Sequence, residues 1–145
     1  MPKRDLNDKI CIVTGAGSGL GKAMALGLSE AGAKVAGVDL NLEALTATAN
    51  EATGGGVTPI QTDITKVEDA DNAISKTISG LGGMHVLINC AGLGMPTLRV
   101  DYWNNRLFFW EADPEKWQRL MDVNVRGAFL MGRAAAPYLI DQKWG

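Results

Sequence analysis

A glycine-rich segment near the start of the chain constrains the fold more than any other feature. Residues 14–21 read TGAGSGLG and stand directly between an apolar, strand-like run and a segment with helical spacing. Backbone amides and the positive end of a helix dipole converge at such a junction, where glycines permit a tight turn and the close approach of a ligand. The segment therefore predicts a pyrophosphate site at the start of the first helix.

Strand-like and helix-like segments alternate along the rest of the chain. Apolar, β-branched runs occur at residues 9–14, 34–39, 57–61 and 85–89, and helical spacing occurs at 20–31, 42–52 and 66–78. Nearly continuous hydrophobicity indicates parallel strands covered on both faces, and right-handed crossovers order them third, second, first, fourth. We therefore expect an α/β fold with a doubly wound parallel sheet, a three-layer Rossmann fold, in a single domain over residues 1–145.

Capping patterns mark the starts of two helices. Thr65 and Glu68 have the spacing of a capping box before the third helix. Asp113 followed by Pro114 predicts the start of the longest helix, which runs to about residue 140 with Ala, Leu, Met and Phe on its core face. An asparagine and a glycine inside that helix, at positions 124 and 127, are expected to kink it.

Composition and charge exclude several classes of protein. The net charge is −2 and no Lys or Arg run exceeds two residues, so we expect no nucleic-acid partner. The longest apolar runs are strand-sized, which argues against a membrane span. Residues 1–5 are not followed by the pattern of a secretory signal, so we expect a cytoplasmic protein.

The two cysteines, Cys11 and Cys90, each lie in an apolar segment and have no metal-ligand or redox spacing. We expect two buried, reduced thiols, because burial raises a thiol's pKa and weakens it as a nucleophile. The alternatives are a disulfide or a catalytic thiol. No metal site is expected.

A nucleoside-triphosphatase loop is a rival interpretation of residues 14–21. Lys22 follows the last glycine as in that motif, but Ala16 stands where its first glycine belongs, and Ala23 replaces the Mg²⁺-binding hydroxyl residue. We therefore reject the triphosphatase interpretation and expect Lys22 to be a solvated helix residue.

Asp39 ends the second strand, about twenty residues beyond the glycine turn, where a carboxylate can accept hydrogen bonds from adenosine ribose hydroxyls. The same charge repels a 2′-phosphate, and no Arg or Lys lies in the turn or directly after Asp39. NAD is therefore favoured over NADP. The alternative role for Asp39 is to cap the helix that begins near Asn41.

Five features in register resemble the short-chain dehydrogenase/reductase family over nearly the whole chain. They are the T-G-x-x-x-G-x-G spacing, Asp39, the Asp63-Ile64 pair after the third strand, Asn89-Cys90-Ala91-Gly92 after the fourth, and Asn124. The resemblance implies an NAD-dependent oxidoreductase that transfers hydride between the cofactor and a secondary alcohol or the corresponding ketone. It also implies a homodimer or homotetramer.

The resemblance further implies a role for each matching residue. Three groups would surround the cofactor: Gly15, Ser18, Gly19, Leu20 and Gly21 at the diphosphate and adenosine ribose, Asp63 and Ile64 at the adenine, and Asn89, Ala91 and Gly92 at the nicotinamide. Asn124 is implied as a catalytic residue that holds a water linking the family's lysine to solvent. Cys90 stands where a second Asn is usual, and we expect the contact there to be made by backbone.

The family's catalytic Ser and Tyr-x-x-x-Lys are absent from this sequence. Tyr138 is followed four residues later by Gln142, so no Lys is placed to lower the phenol's pKa, and we expect Tyr138 to pack in the helix. His85, where an Asp is common, is expected to be a strand-entry residue rather than a base. We expect the protein to continue past Gly145 by on the order of 100 residues, since such folds have six or more strands.

Two other functions stay open. One is a non-catalytic dinucleotide-binding module or fragment, and the other is half of a sheet completed by another chain, since the fourth strand would be an open edge. The long segment 93–112 contains Tyr102, Trp103, Phe108, Phe109 and Trp110. It is expected to be either a wall of an apolar substrate pocket or a hydrophobic cover or subunit contact.

Overall fold

Four parallel strands form the centre of the computed structural model, which describes residues 6–145. They are β1 (Ile10–Thr14), β2 (Lys34–Asp39), β3 (Val57–Gln61) and β4 (Val86–Ile88), and their order across the sheet is β3-β2-β1-β4. The pairs β1·β2, β2·β3 and β1·β4 are all parallel. Strand order and direction confirm the predicted doubly wound sheet. Residues 1–5, on which the prediction of no secretory signal depends, lie outside the described residues.

Helices connect the strands and follow the last one. They are α1 (Gly19–Glu30), α2 (Leu42–Glu51), α3 (Val67–Leu81), α4 (Pro114–Met121) and α5 (Ala128–Asp141). A π-helical segment, Asp122–Gly127, joins α4 to α5, and two short 3₁₀ turns, Met95–Thr97 and Phe109–Glu111, lie in the preceding loop. In residues 6–145, no helix combines the length and apolarity that crossing a bilayer requires.

Two hydrophobic cores on opposite faces of the sheet make the fold three-layered. Successive residues of β1 alternate between them, as the two-residue period of a strand requires. Ile12 packs in a core with residues of α3 and α5, whereas Cys11 and Val13 pack in a second core with residues of α1 and α2. The expected αβα sandwich is therefore confirmed.

Burial is less uniform than continuous hydrophobicity predicted. β1 is buried throughout, but β3 buries only Val57 and Ile60, and all three residues of β4 are half-buried. Both β3 and β4 are edge strands with a neighbour on one side only. The prediction that helices cover both faces of every strand is therefore right for the central strands β1 and β2 and wrong for the edge strands β3 and β4.

The capping box predicted before α3 is wrong. The N-cap is Lys66, and Thr65 instead donates its hydroxyl hydrogen to Asp63 Oδ1 at 2.6 Å. A carboxylate two residues earlier competes successfully for that hydroxyl, as local side-chain hydrogen bonds commonly do near helix ends. Glu68 still lies in the first turn, where its charge complements the helix dipole.

The long carboxyl-terminal helix begins as predicted and is irregular where predicted. Asp113 accepts a hydrogen bond from Lys116 N at 3.0 Å, with Pro114 in the first helical position. Asn124 lies inside the π-helical segment. The predicted core face is wrong for Phe129, which is 64% exposed, because the buried positions 127, 130, 131 and 135 form a helical stripe that passes beside it.

Candidate functional site

A cavity of about 440 Å³ opens at the carboxyl ends of the strands, the edge of an open parallel sheet where ligands generally bind. Loops after all four strands line it, together with two residues of the long helix. Of the predicted binding residues, all except Asn89 are in the lining: Gly15, Ser18, Gly19, Leu20, Gly21, Asp39, Asp63, Ile64, Ala91 and Gly92. The topology thus brings residues from distant parts of the chain to one surface.

The glycine turn is shaped by contacts that exclude side chains. A Cβ on Gly21 would lie 2.1 Å from Gly15 O, which is backbone and cannot move aside. Gly15 itself has φ +71°, a left-handed conformation that favours glycine. α1 begins at Gly19 with no acidic residue in its first turn, so no carboxylate within the helix itself offsets the positive end of its dipole.

Asp39 joins the glycine turn to the end of β2. Its Oδ2 accepts from Gly17 N and its Oδ1 accepts from Asn41 N, both at 3.0 Å. The cap of α2 is Asn41, whose side chain accepts from Ala44 N at 3.1 Å. The helix-capping role considered for Asp39 is therefore filled by its neighbour, and the Asp39 carboxylate lies in the cavity lining.

Asp63 supplies a second carboxylate to the cavity. Hydrogen bonds from the Thr65 hydroxyl and amide, and the positive charges of Lys66 and Arg119, lower the pKa of Asp63 below its usual value, although partial burial opposes them. The Lys66 ammonium lies 3.8 Å from Asp63 Oδ2. This carboxyl therefore stays ionised to lower pH than an unperturbed one.

The long helix adds two lining residues that were not among the predicted site residues, Arg119 in α4 and Val123 in the π-helical segment. The two residues are four positions apart and hence on one helix face. That spacing was visible in the sequence, but nothing in it showed that this face would turn toward the loop after β3. Arg119 places a cation at the Asp63 side of the cavity.

Thr14 connects the loop after β1 to the loop after β4. Its hydroxyl oxygen accepts hydrogen bonds from Cys90 N and Ala91 N, both at 3.0 Å. Cys90 is half-buried and lines the cavity, because β4 ends two residues before it. The prediction of two buried thiols is therefore right for Cys11 and wrong for Cys90; both are free, and burial raises the pKa of the Cys11 thiol.

The two candidate asparagines do not line the cavity. The Asn89 side chain points to the long helix and donates to Ala128 O at 3.3 Å. Asn124 binds the loop after β4 twice, because its Oδ1 accepts from Leu93 N at 2.7 Å and its Nδ2 donates to Leu93 O at 2.9 Å. Both side chains thus contact backbone beside the cavity.

The aromatic segment contributes only Leu93 to the cavity lining. Beyond it, Trp103 and Phe109 are 81% and 86% exposed, and Phe108 stacks on Trp110 with 4.8 Å between ring centroids. Arg99 braces the loop by donating to Arg106 O at 2.8 Å. Apart from Leu93, the segment therefore lies beside this cavity, with the rings of Trp103, Phe108, Phe109 and Trp110 exposed.

Two residues considered for catalysis have structural contacts. The Tyr138 ring packs against the core between the sheet and α3. His85 Nδ1 accepts from Ile10 N at 3.0 Å, at the amino-terminal end of β4 and hence opposite the cavity. Both contacts agree with the packing roles expected for these residues.

The family model for the short chain dehydrogenase matches residues 9–145. An uncharacterised oxidoreductase of Staphylococcus aureus is 36% identical over 140 residues, covering 97% of this chain and 56% of the relative. A 3-oxoacyl-[acyl-carrier-protein] reductase of Thermotoga maritima is 32% identical over 142 residues, covering 97% and 54%. The chain thus spans about half the length of the curated relatives it matches.

Solved structures show the same fold. A 3-ketoacyl-(acyl-carrier-protein) reductase from Brucella melitensis, complexed with NADH, superposes with a TM-score of 0.84 at 33% identity, covering 95% of this chain and 52% of that one. A short-chain type dehydrogenase/reductase from Mycobacterium marinum superposes with a TM-score of 0.85 at 33% identity, covering 97% and 54%.

Proposed function

Since the chain belongs to the short-chain dehydrogenase family, we propose that it is a dinucleotide-binding domain that holds NAD(H) in the cavity at the carboxyl ends of its strands. In the complete protein, this domain serves an oxidoreductase that acts on a secondary alcohol or the corresponding ketone. The bound nicotinamide supplies the hydride-transfer chemistry. The residues of this chain bind and orient the cofactor.

The observation that carries the proposal is the convergence of an anion site and a ribose site in one cavity. Gly21 packs so closely on the backbone of Gly15 that a Cβ would lie 2.1 Å from its oxygen, which brings the start of α1 against the end of β1, and no carboxylate occupies the first turn of that helix. Such a helix start suits a diphosphate. Asp39, pinned to Gly17 N at 3.0 Å, lies next to it and can accept from the ribose hydroxyls.

The same carboxylate supports NAD rather than NADP. A 2′-phosphate would stand beside the negative charge of Asp39, and residues 14–21 and 40–50 contain no Lys or Arg. Arg119 lines the cavity, but its charge acts on Asp63 at the end of β3.

Asn124 fits a positioning role within this function. The oxygen of its side-chain amide accepts from Leu93 N at 2.7 Å and the nitrogen donates to Leu93 O at 2.9 Å, which holds the segment after β4 at the expected nicotinamide end. Ala91 and Gly92, in that segment, line the cavity. We therefore assign Asn124 to orienting the nicotinamide side.

A second candidate function is dinucleotide binding without catalysis. Tyr138 packs in the core, and Gln142, four residues later, donates to Met84 O at 2.7 Å. No tyrosine among residues 6–145 is followed by a lysine at that spacing. Turnover of an alcohol or ketone by the full-length protein separates the two candidates.

The binding experiment compares NADH and NADPH by the fluorescence of the reduced nicotinamide. We expect the unmutated chain to bind NADH at least about tenfold more tightly than NADPH. Asp39→Ala is expected to weaken NADH binding by about tenfold, the effect of losing one charge-assisted hydrogen bond, and to bring the two affinities closer together.

Asp71→Ala is the matched control. It removes the same charge from an exposed site on α3, where Asp71 pairs with Arg133 at 3.4 Å, so the NADH affinity should stay unchanged. Equal binding of NADH and NADPH by the unmutated chain would refute the role assigned to Asp39. No binding of either cofactor would refute the proposed function itself.

A further inference from the structure

The π-helical segment Asp122–Gly127 contacts both ends of the cavity. Asn124 holds Leu93 after β4, and the Arg126 guanidinium donates from Nη1 to the carbonyl oxygen of Thr65 after β3. β3 and β4 are the two outer strands of the sheet, so the loops that follow them lie roughly 14 Å apart at the usual spacing of three strand pairs. One helical segment therefore bridges loops that no strand pairing connects.

Arg126 reaches the cavity only through Thr65. Unlike Arg119, it is not part of the cavity lining. Thr65 in turn donates to Asp63 Oδ1 from its hydroxyl at 2.6 Å and from its amide at 3.1 Å. The guanidinium on Thr65 O thus fixes the residue that orients the Asp63 carboxylate.

Gly127 supports the same loop by a steric contact. A Cβ at this position would lie 2.6 Å from Ile64 Cδ1 and 2.8 Å from Ile64 Cγ1. Ile64 is 8% exposed and lines the cavity beside Asp63. Because the obstructing atoms belong to a side chain, an alanine at position 127 would displace Ile64 rather than the backbone.

We propose that Arg126 and Gly127 are positioning residues for the adenine end of the cofactor cavity, acting on it through Thr65 and Ile64. The inference rests on the proposed function, because it takes the cavity to hold NAD(H) with its adenine near Asp63. Neither residue touches the cofactor in this arrangement. They affect how strongly the loop of residues 62–65 favours adenine over another base in the cofactor.

Base discrimination is the readout that tests this inference. NADH and its hypoxanthine analogue differ at the base, where a carbonyl replaces the 6-amino group that Asp63 can accept from. We expect the unmutated chain to prefer NADH. Arg126→Ala should weaken NADH binding by about fivefold, as expected for one hydrogen bond, and bring the ratio of the two affinities toward one.

Two variants control for charge and for folding. Arg133→Ala removes the same charge from α5, the helix that continues the π-helical segment, where Arg133 pairs with Asp71 on the surface, and should change neither affinity by more than about twofold. Arg126→Lys keeps the charge and one donor and should restore most of the NADH preference. A general loss of stability would lower both affinities and leave their ratio unchanged.

Gly127→Ala is the second probe, and it is required if Arg126→Ala fails to give a native circular dichroism spectrum. It should also lower the NADH preference, because Ile64 is displaced. If the ratio of the two affinities is unchanged in Arg126→Ala, this inference alone is overturned. Where Arg126→Ala does not fold, an unchanged ratio in Gly127→Ala has the same meaning. Equal binding of NADH and its analogue by the unmutated chain would also overturn this inference alone. Failure of the unmutated chain to bind NADH would overturn the proposed function together with it.

Discussion

The loop after β1 and the loop after β4 meet at the same cavity, yet they are built in opposite ways. In the first, Ala16 is fully buried and a Cβ on Gly21 would lie 2.1 Å from backbone. In the second, Trp103 and Phe109 are 81% and 86% exposed. The first loop lies between two central strands and their helices, whereas the second follows an edge strand. Close backbone contacts at Gly15 and Gly21 restrict the residues that the first loop can use at those positions, whereas the exposed rings of the second loop are not restricted by packing.

Among substitutions in the two loops, we expect Gly21→Ala to have the largest effect on stability. Gly21→Ala places a Cβ against Gly15 O, so we expect the free energy of unfolding to fall by about 3 kcal/mol, the upper end of the overpacking range. NADH binding should be lost with the turn. Urea unfolding followed by circular dichroism measures the change.

Gly27→Ala is the matched control for Gly21→Ala. Gly27 lies on the same helix, α1, and apart from its chain neighbours and the helix's own backbone no atom of the described residues comes within 4 Å of its Cβ position. Alanine there should leave stability unchanged or raise it by up to about 1 kcal/mol, because it favours the helix. If both alanines had the same effect, the steric account of the turn would be wrong.

The Thr14 hydroxyl joins the two loops and is expected to have the next largest effect. Thr14→Val keeps the shape of the side chain but leaves Cys90 N and Ala91 N without the acceptor that they share. Stability should fall by about 2 kcal/mol, within the range for unsatisfied backbone donors. Thr14→Ser keeps the hydroxyl and should be much closer to the unmutated chain in the same urea titration. A Thr14→Val variant as stable as Thr14→Ser would contradict the role of the hydroxyl.

The aromatic segment should show the smallest effect. Phe109→Ser removes an 86% exposed ring, and we expect stability to change by no more than about 0.5 kcal/mol, with NADH affinity unaltered. Leu45→Ala, in the core beside β1, should cost about 3 kcal/mol in the same assay. A loss above about 1 kcal/mol for Phe109→Ser would show that this loop is as tightly packed as the glycine turn.

The strand order and most of the cavity lining were predictable because few arrangements of a βαβ chain are possible. Right-handed crossovers in a dinucleotide-binding half favour the order third, second, first, fourth, and the carboxyl ends of parallel strands share one edge. Predictions failed where two neighbouring groups competed. Thr65 has the spacing of a helix cap, yet its hydroxyl binds Asp63. Phe129 is apolar on a helix with a buried face, yet it lies beside the buried stripe.

Some features of this protein depend on local sequence patterns, and others depend on contacts between distant parts of the chain. The sequence by itself determined the alternation of strands and helices, the position of the glycine turn and the irregularity at Asn124, because these depend on backbone sterics and periodicity within one or two turns. Only the tertiary structure decided that Arg119 lines the cavity and that Asn89 does not. It also decided that Thr14 binds Ala91, 77 residues away. Such contacts depend on how the sheet brings separate loops together, and no short stretch of sequence encodes that distance.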